Sequence, residues 1–232
     1  MLMLSACTEI DSPISSKDTV LKIETKWLAD SNGVKKLMVY NKEYDRSGKL
    51  IKLVEYDSLG QAQKIHKYQY SDKEQKETIE YANPVNANAL VSKIYSSIDE
   101  NGKIVTRIET GLLGDTLSTF NYKYDSKGNL VSANAKYTST QSNILTEYKY
   151  NSSGSLENTI CKDVVTGHII KTDSLIYNYQ RSTVDKVTTD NLGNVKTIIS
   201  TSYNKFGKVY KEIENDPNKK IINTYIYEYI FY

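Results

Sequence analysis

Tyr122-Lys123-Tyr124-Asp125-Ser126-Lys127-Gly128-Asn129-Leu130 reads as the end of one β-strand, a tight turn and the start of the next. Asp suits the first position of a type I turn, because its carboxylate accepts backbone N–H bonds two residues on. Gly supplies the left-handed residue that closes a three-residue hairpin loop with a bulge. That geometry predicts that Asp125 pairs with Asn129 and that Tyr124 sits opposite Leu130.

Variants of this unit recur. The residue before each turn is Tyr44, Tyr70, Ile98, Tyr124, Tyr150, Tyr177, Tyr203 and Tyr229, at spacings of 26, 28, 26, 26, 27, 26 and 26. A second set of turn-rich stretches falls midway, at 57–60, 83–84, 111–115, 139–143, 163–167, 190–193 and 215–219. A reversal about every 13 residues makes each repeat two strands and two turns. The expected fold is all-β: an antiparallel meander of about 16 strands built from 26-residue hairpin repeats, curled or barrel-like. At a strand spacing of about 4.8 Å and a tilt near 40°, closure would give a ring roughly 32 Å across, wide enough for a lumen.

The unbroken repeat argues for one domain over 20–232. Lys and Arg number 30 against 28 Asp and Glu, a net charge of +2. No basic stripe offers nucleic acid a footprint. Tyr accounts for 20 residues, Phe for 3 and Trp for 1. The excess of Tyr predicts either a cross-strand packing ladder or a row of stacking platforms. Pro84 excludes a central strand near 82–89, the longest loop candidate.

Strand parity is clearest late in the chain. Val195, Thr197, Ile199, Thr201 and Tyr203, then Val209, Lys211 and Ile213 across the turn, are expected to share a mostly apolar buried face. Lys171 and Asp173 interrupt the corresponding face upstream, and the turns are short. Both features favour a tethered sheet in water over a lipid-embedded pore.

Residues 1–19 are expected to be a truncated lipoprotein signal and tether. Leu4-Ser5-Ala6-Cys7 resembles a bacterial lipobox, which implies lipidation at Cys7. Residues 8–18 have the composition of a linker. The run before Cys7 is shorter than a signal peptide needs, so a chance match at the chain end is the plain alternative. Cys161 is the other cysteine and reads as an inert strand residue.

Tyr44-Asp45-Arg46-Ser47-Gly48-Lys49-Leu50, Tyr150-Asn151-Ser152-Ser153-Gly154-Ser155-Leu156 and the opening stretch resemble the YD repeats of Rhs-type surface proteins. That resemblance implies curling hairpin sheets. With the lipobox, the chain also resembles envelope lipoproteins of gut-type Gram-negative bacteria, some with a porin-like β fold. This implies a cell-envelope, outer-membrane location and no catalytic residues.

The chemistry of an enzyme is sparse. His66 and His168 are far apart, and no HExxH, Cys-x-x-Cys or Gly-x-Ser-x-Gly occurs. Glu109, Asp115, Glu147 and Asp173 are acids without a visible partner, and Asp99 and Asp190 suit turns better than calcium. The expectation is therefore no enzyme, no catalytic residues, no cofactor and no metal. Two functional readings stay open. One is a lipid-anchored envelope module binding glycan or another ligand through Tyr44, Tyr70, Tyr124, Tyr150, Tyr177, Tyr203 and Tyr229. The other is a structural or assembly protein that meets envelope proteins through its sheet surfaces.

Overall fold

The computed structural model describes residues 20–30, 32–81, 89–216 and 221–231. Cys7 with the expected tether, residues 82–88 of the loop candidate at 82–89, and residues 217–220 lie outside the described residues; Ala89 is instead the first residue of a strand. The strands are β1 (Leu21–Ala29), β2 (Lys35–Tyr44), β3 (Leu50–Tyr56), β4 (Ala62–Tyr70), β5 (Glu74–Tyr81), β6 (Ala89–Ile98), β7 (Ile104–Thr110) and β8 (Thr116–Tyr124). There follow β9 (Leu130–Tyr137), β10 (Ser142–Tyr150), β11 (Leu156–Asp163), β12 (Ile169–Asn178), β13 (Thr183–Asp190), β14 (Val195–Tyr203), β15 (Val209–Asp216) and β16 (Ile221–Phe231). Each pairs antiparallel with its sequence neighbours, and β1 pairs with β16 to close the barrel. Of the curled and closed forms left open by the repeat, the chain takes the closed one.

The turns form as their residues dictate. Asp125 N–H donates to the Asn129 carbonyl at 2.9 Å, and Gly128 N–H to the Asp125 carbonyl at 2.9 Å. Asp125 Oδ1 accepts from the backbone N–H groups of Lys127 at 2.9 Å and Asn129 at 2.8 Å. The Asn129 side chain, followed by those amides, holds the Asp125 carboxyl below its ordinary pKa. Gly128 has φ +85°, the left-handed value that the turn needs. Among the described residues, Gln141 at φ 52° and Ser182 at φ 50° take the left-handed turn position without being Gly.

Tyr124 faces Leu130, as the turn geometry predicts, but a register shift falls between Lys123 and Tyr124. The same shift recurs between Lys149 and Tyr150 and between Ser202 and Tyr203. Each shift inserts an extra residue and flips the parity of the strand beyond it. The expected face over β14 and β15 is corrected accordingly. Glu212 lies opposite Thr201 and Glu214 opposite Ile199, so these acids share the Tyr203 face, while Lys211 and Ile213 turn to the other.

Followed around the ring, one face collects Ile79, Ile94, His66, Glu77, Ser92, Ser96, Ser118, Ala133 and Asp173, all buried. This is the concave inner wall. Away from strand ends, exposed positions such as Lys67, Lys123, Lys149, Ile176 and Lys196 belong to the outer wall. There Lys52 pairs with Glu43 at 3.1 Å, Lys67 with Glu80 at 2.9 Å and Lys162 with Glu147 at 2.6 Å. Charges on a lipid-facing wall cost roughly 2–4 kcal/mol each near mid-membrane, so this wall is built for water. Strand packing follows the ring order. A 16-strand ring encloses a bore wide enough for water.

Candidate functional site

The inner wall carries the chemistry. At the rim where even-numbered strands end, the tyrosines form a series of staples. The hydroxyl of Tyr70 donates to the Leu50 carbonyl at 2.7 Å, Tyr124 to Ile104 at 2.8 Å and Tyr150 to Leu130 at 3.0 Å. Tyr177 reaches Leu156 at 2.8 Å and Tyr229 reaches Val209 at 2.6 Å. In each case the acceptor is the first residue of the preceding strand, so each tyrosine ties its own hairpin to the one before. Tyr44 instead meets Glu24 Oε2 at 3.4 Å, and Tyr203 sits opposite Val209. Lys49 lies over the Tyr70 ring at 5.3 Å and Lys103 over Tyr124 at 5.0 Å. Thus all seven tyrosines picked out by the repeat line one mouth of the barrel. Burial raises the Tyr70 pKa to about 12.

Three polar clusters lie deeper. The first is at the closing seam, where β1, β2, β15 and β16 meet. Tyr40 donates to Glu24 at 2.6 Å, Tyr227 to Glu212 at 2.6 Å and Tyr225 to Glu214 at 3.3 Å. Lys26 Nζ pairs with Glu212 at 2.7 Å and lies 4.1 Å from the Tyr225 ring centre, and Lys42 pairs with Glu24 at 2.8 Å. The Tyr40 and Tyr227 rings meet edge to face at 6.4 Å. Burial first, and the nearby carboxylates second, push both phenols well above their ordinary pKa.

The second cluster spans β3 to β7. His66, 1% exposed, sets Nδ1 2.7 Å from Glu77 Oε1. Its Nε2 lies 3.7 Å from Glu55, an ion-pair distance outside hydrogen-bond range. Glu77 also meets Arg107 at 3.2 Å and the Tyr68 hydroxyl at 3.2 Å. Burial alone would depress the imidazolium pKa; the carboxylates of Glu55 and Glu77 outweigh it and raise the pKa to about 9.

The third cluster centres on Asp173, which accepts from Thr188 at 2.6 Å, Thr159 at 3.3 Å and Lys171 at 3.3 Å. Burial raises the neighbouring Cys161 thiol above its ordinary pKa, which favours the unreactive protonated form.

The other acids noted in the sequence do not gather. Glu109 accepts from Ser118 at 3.1 Å, and Glu147 is on the outer wall. Asp99 and Asp190 each spend one carboxylate oxygen on two backbone N–H groups of their own turns. Among the described residues no group of three or more His, Cys, Asp or Glu is placed to hold a metal ion. The second cluster escaped the sequence reading, because no motif joins His66, Glu77 and Arg107. The register brings them together: His66 faces Ile79 on β5, two residues beyond Glu77.

No protein-family model matches the sequence, and no curated protein matches it. Solved structures do. A porin-like protein from Bacteroides uniformis is similar at 10% identity and TM-score 0.41, covering 92% of this chain and 99% of that one. A porin-like protein from Bacteroides vulgatus is similar at 10% identity and TM-score 0.45, with the same coverage. The Photorhabdus luminescens Tc holotoxin pore is similar over 88% of this chain and 15% of its own, at 13% identity and TM-score 0.23.

Proposed function

We propose that the chain is a lipid-tethered β-barrel of the bacterial cell envelope whose bore takes a polar, hydroxyl-rich ligand, with glycan as the class. The observation that carries this reading is the chemistry of the inner wall. A wall that served stability alone would bury apolar side chains. Besides Ile79, Ile94 and Ala133, this one buries His66, Glu77, Ser92, Ser96, Ser118 and Asp173 and sets tyrosines beside charged groups. Aromatic rings next to carboxylates and ammonium groups suit a sugar, which offers C–H faces to stack and hydroxyls to bond. The seam cluster around Tyr40, Tyr225 and Tyr227 and the tyrosine mouth are the two surfaces on offer.

The test is a glycan array on the fragment starting at Ser12, with Tyr225→Ala, Tyr124→Ala and Tyr150→Ala, each also measured for thermal stability. Binding lost by variants that remain folded at the assay temperature, even where the loss of a staple lowers their stability, supports a ligand-binding bore. No glycan bound by the unsubstituted fragment would remove the proposal. A second reading, a structural envelope barrel, is favoured by the staples themselves, since five tyrosine hydroxyls are spent on backbone carbonyls. It expects lost stability without any bound glycan. The tether is tested separately: cells expressing a gene with a complete signal should incorporate labelled fatty acid into the protein, Cys7→Ala should abolish the label, and no label on the unsubstituted protein would argue against lipidation.

A further inference from the structure

The two rims of the barrel differ in a way that neither turn chemistry nor packing requires. The staple rim presents Ser47, Asn101, Lys127, Ser153 and Phe206 at the position just before the turn glycine. At the opposite rim, the same position holds Leu59, Leu113 and Leu192, which are 76%, 97% and 80% exposed, beside the polar Asn32 and Thr166 of two further turns. Val165, on the longer turn between β11 and β12, is 80% exposed, and Leu112 and Val34 are exposed beside them. A type I turn with a bulge accepts almost any residue at this position. These side chains stay mostly exposed, so the aliphatic choice brings the fold little burial. The tips belong to the connections β1–β2, β3–β4, β7–β8, β11–β12 and β13–β14, so they are spread around the ring rather than gathered into one patch. The described turns of the staple rim offer only Tyr179 and Phe206 as exposed large apolar residues.

We propose that this crown of aliphatic turn tips docks on a lipid bilayer, with Leu59, Leu113, Val165 and Leu192 entering the headgroup region and the barrel standing on its rim. The spacing selects the occupant. The tips are distributed around a ring, so a globular partner would meet isolated points. Protein interfaces instead concentrate energy in a packed central cluster rich in Trp, Tyr and Arg, which the described turns of this rim lack. A bilayer receives separated aliphatic wedges and requires only that they share a plane.

The charges beneath the crown fit a phosphate layer. Lys36 and Lys196 pair with Asp30 and Asp190, yet their own side chains stay 56% and 52% exposed, and Lys136 is exposed as well. The Asp30 and Asp190 carboxylates are drawn inward by their turn amides, Asp30 Oδ1 accepting from Asn32 and Val34. Half-exposed even in their pairs, the Lys36 and Lys196 ammonium groups, with Lys136, are cations of this rim within reach of lipid phosphate. Above them the charged outer wall stops further entry, so the contact is peripheral. This inference is independent of what the bore binds.

The experiment uses the chain carrying Cys7→Ala, so that no acyl anchor contributes, and vesicles of phosphatidylethanolamine with phosphatidylglycerol at 3:1. The expected result is co-flotation with the vesicles. The triple variant Leu59→Ser/Leu113→Ser/Leu192→Ser should lower the bound fraction at least tenfold at unchanged thermal stability, and Phe206→Ser on the other rim should leave it unaltered. Three outcomes overturn the proposal: no flotation of the Cys7→Ala chain, equal flotation of the triple variant, or an equal loss with Phe206→Ser. Sedimentation is run in parallel. A dimer abolished by the triple variant, without flotation, would assign the crown to a second copy of the chain instead.

Discussion

Replacing His66 by Gln should remove a pH dependence of stability that the wild type displays. In the folded barrel the imidazolium is held between Glu55 and Glu77 and keeps its proton to a pKa of about 9; its ordinary value is 6.5. The folded state therefore binds one more proton than the unfolded state across that window. A raised folded pKa means stability fully present below about pH 6.5 and lost as pH rises toward 9. At roughly 1.4 kcal/mol per pH unit, the wild type should lose about 3 kcal/mol between those limits. His66→Gln keeps a polar side chain beside Glu77 but cannot carry the charge. It should be destabilised by about 3 kcal/mol at pH 6 and by much less at pH 9.5. Urea unfolding of both proteins at half-unit pH steps reads the difference, in which lysines and tyrosines titrating in both chains cancel. Parallel stability curves for the two proteins would refute the charged imidazolium and the network drawn around it.

The staples predict that Tyr124→Phe or Tyr150→Phe, which keep the ring and lose the hydroxyl, each cost about 1 kcal/mol in urea unfolding; no change would mean that water replaces the bond without loss. At the turns, Gly154→Val should cost on the order of 1–2 kcal/mol, because a residue with Cβ resists φ +84°, and Ser126→Val should cost little. In the opposite direction, Gln141→Gly and Ser182→Gly should each raise stability by about 0.5–1 kcal/mol by removing a side chain from left-handed backbone. A loss at either site would show that those side chains stabilise their turns through contacts beyond the backbone.

The hairpins were legible because their cause is local. Asp125 and Gly128 lie three residues apart, and one turn geometry satisfies both. Strand direction and number followed from the repeat. The inner wall was less legible, since a single inserted residue after a turn reverses which side chains face inward. Alternation read across the 203–209 turn therefore sent Glu212 and Glu214 to the wrong side. Closure was invisible, because the pairing of Glu24 with Tyr229 joins residues with no local signal in common. The tyrosine mouth was visible as a periodic row, whereas its bonding was not. A hydroxyl that reaches back 20 residues to a carbonyl obeys the repeat but leaves no motif. His66, Glu77 and Arg107 come from three strands, and only the register of the finished sheet brings them together.

The seam between β1 and β16 also governs how the molecule can be made. Every other strand pair is a hairpin that can form as soon as its second strand exists. The seam must wait for β16, so a nascent barrel carries two open edges until that strand has been made. Open edges invite pairing with other chains. The seam's inner face is polar: across it Lys26 must find Glu212, and Tyr40 must meet Tyr227 edge to face. A stray strand added to either edge would leave those charges unmatched. The seam cluster thus acts as a lock keyed to the chain's own far end, favouring self-closure over aggregation during the interval when the ring is incomplete.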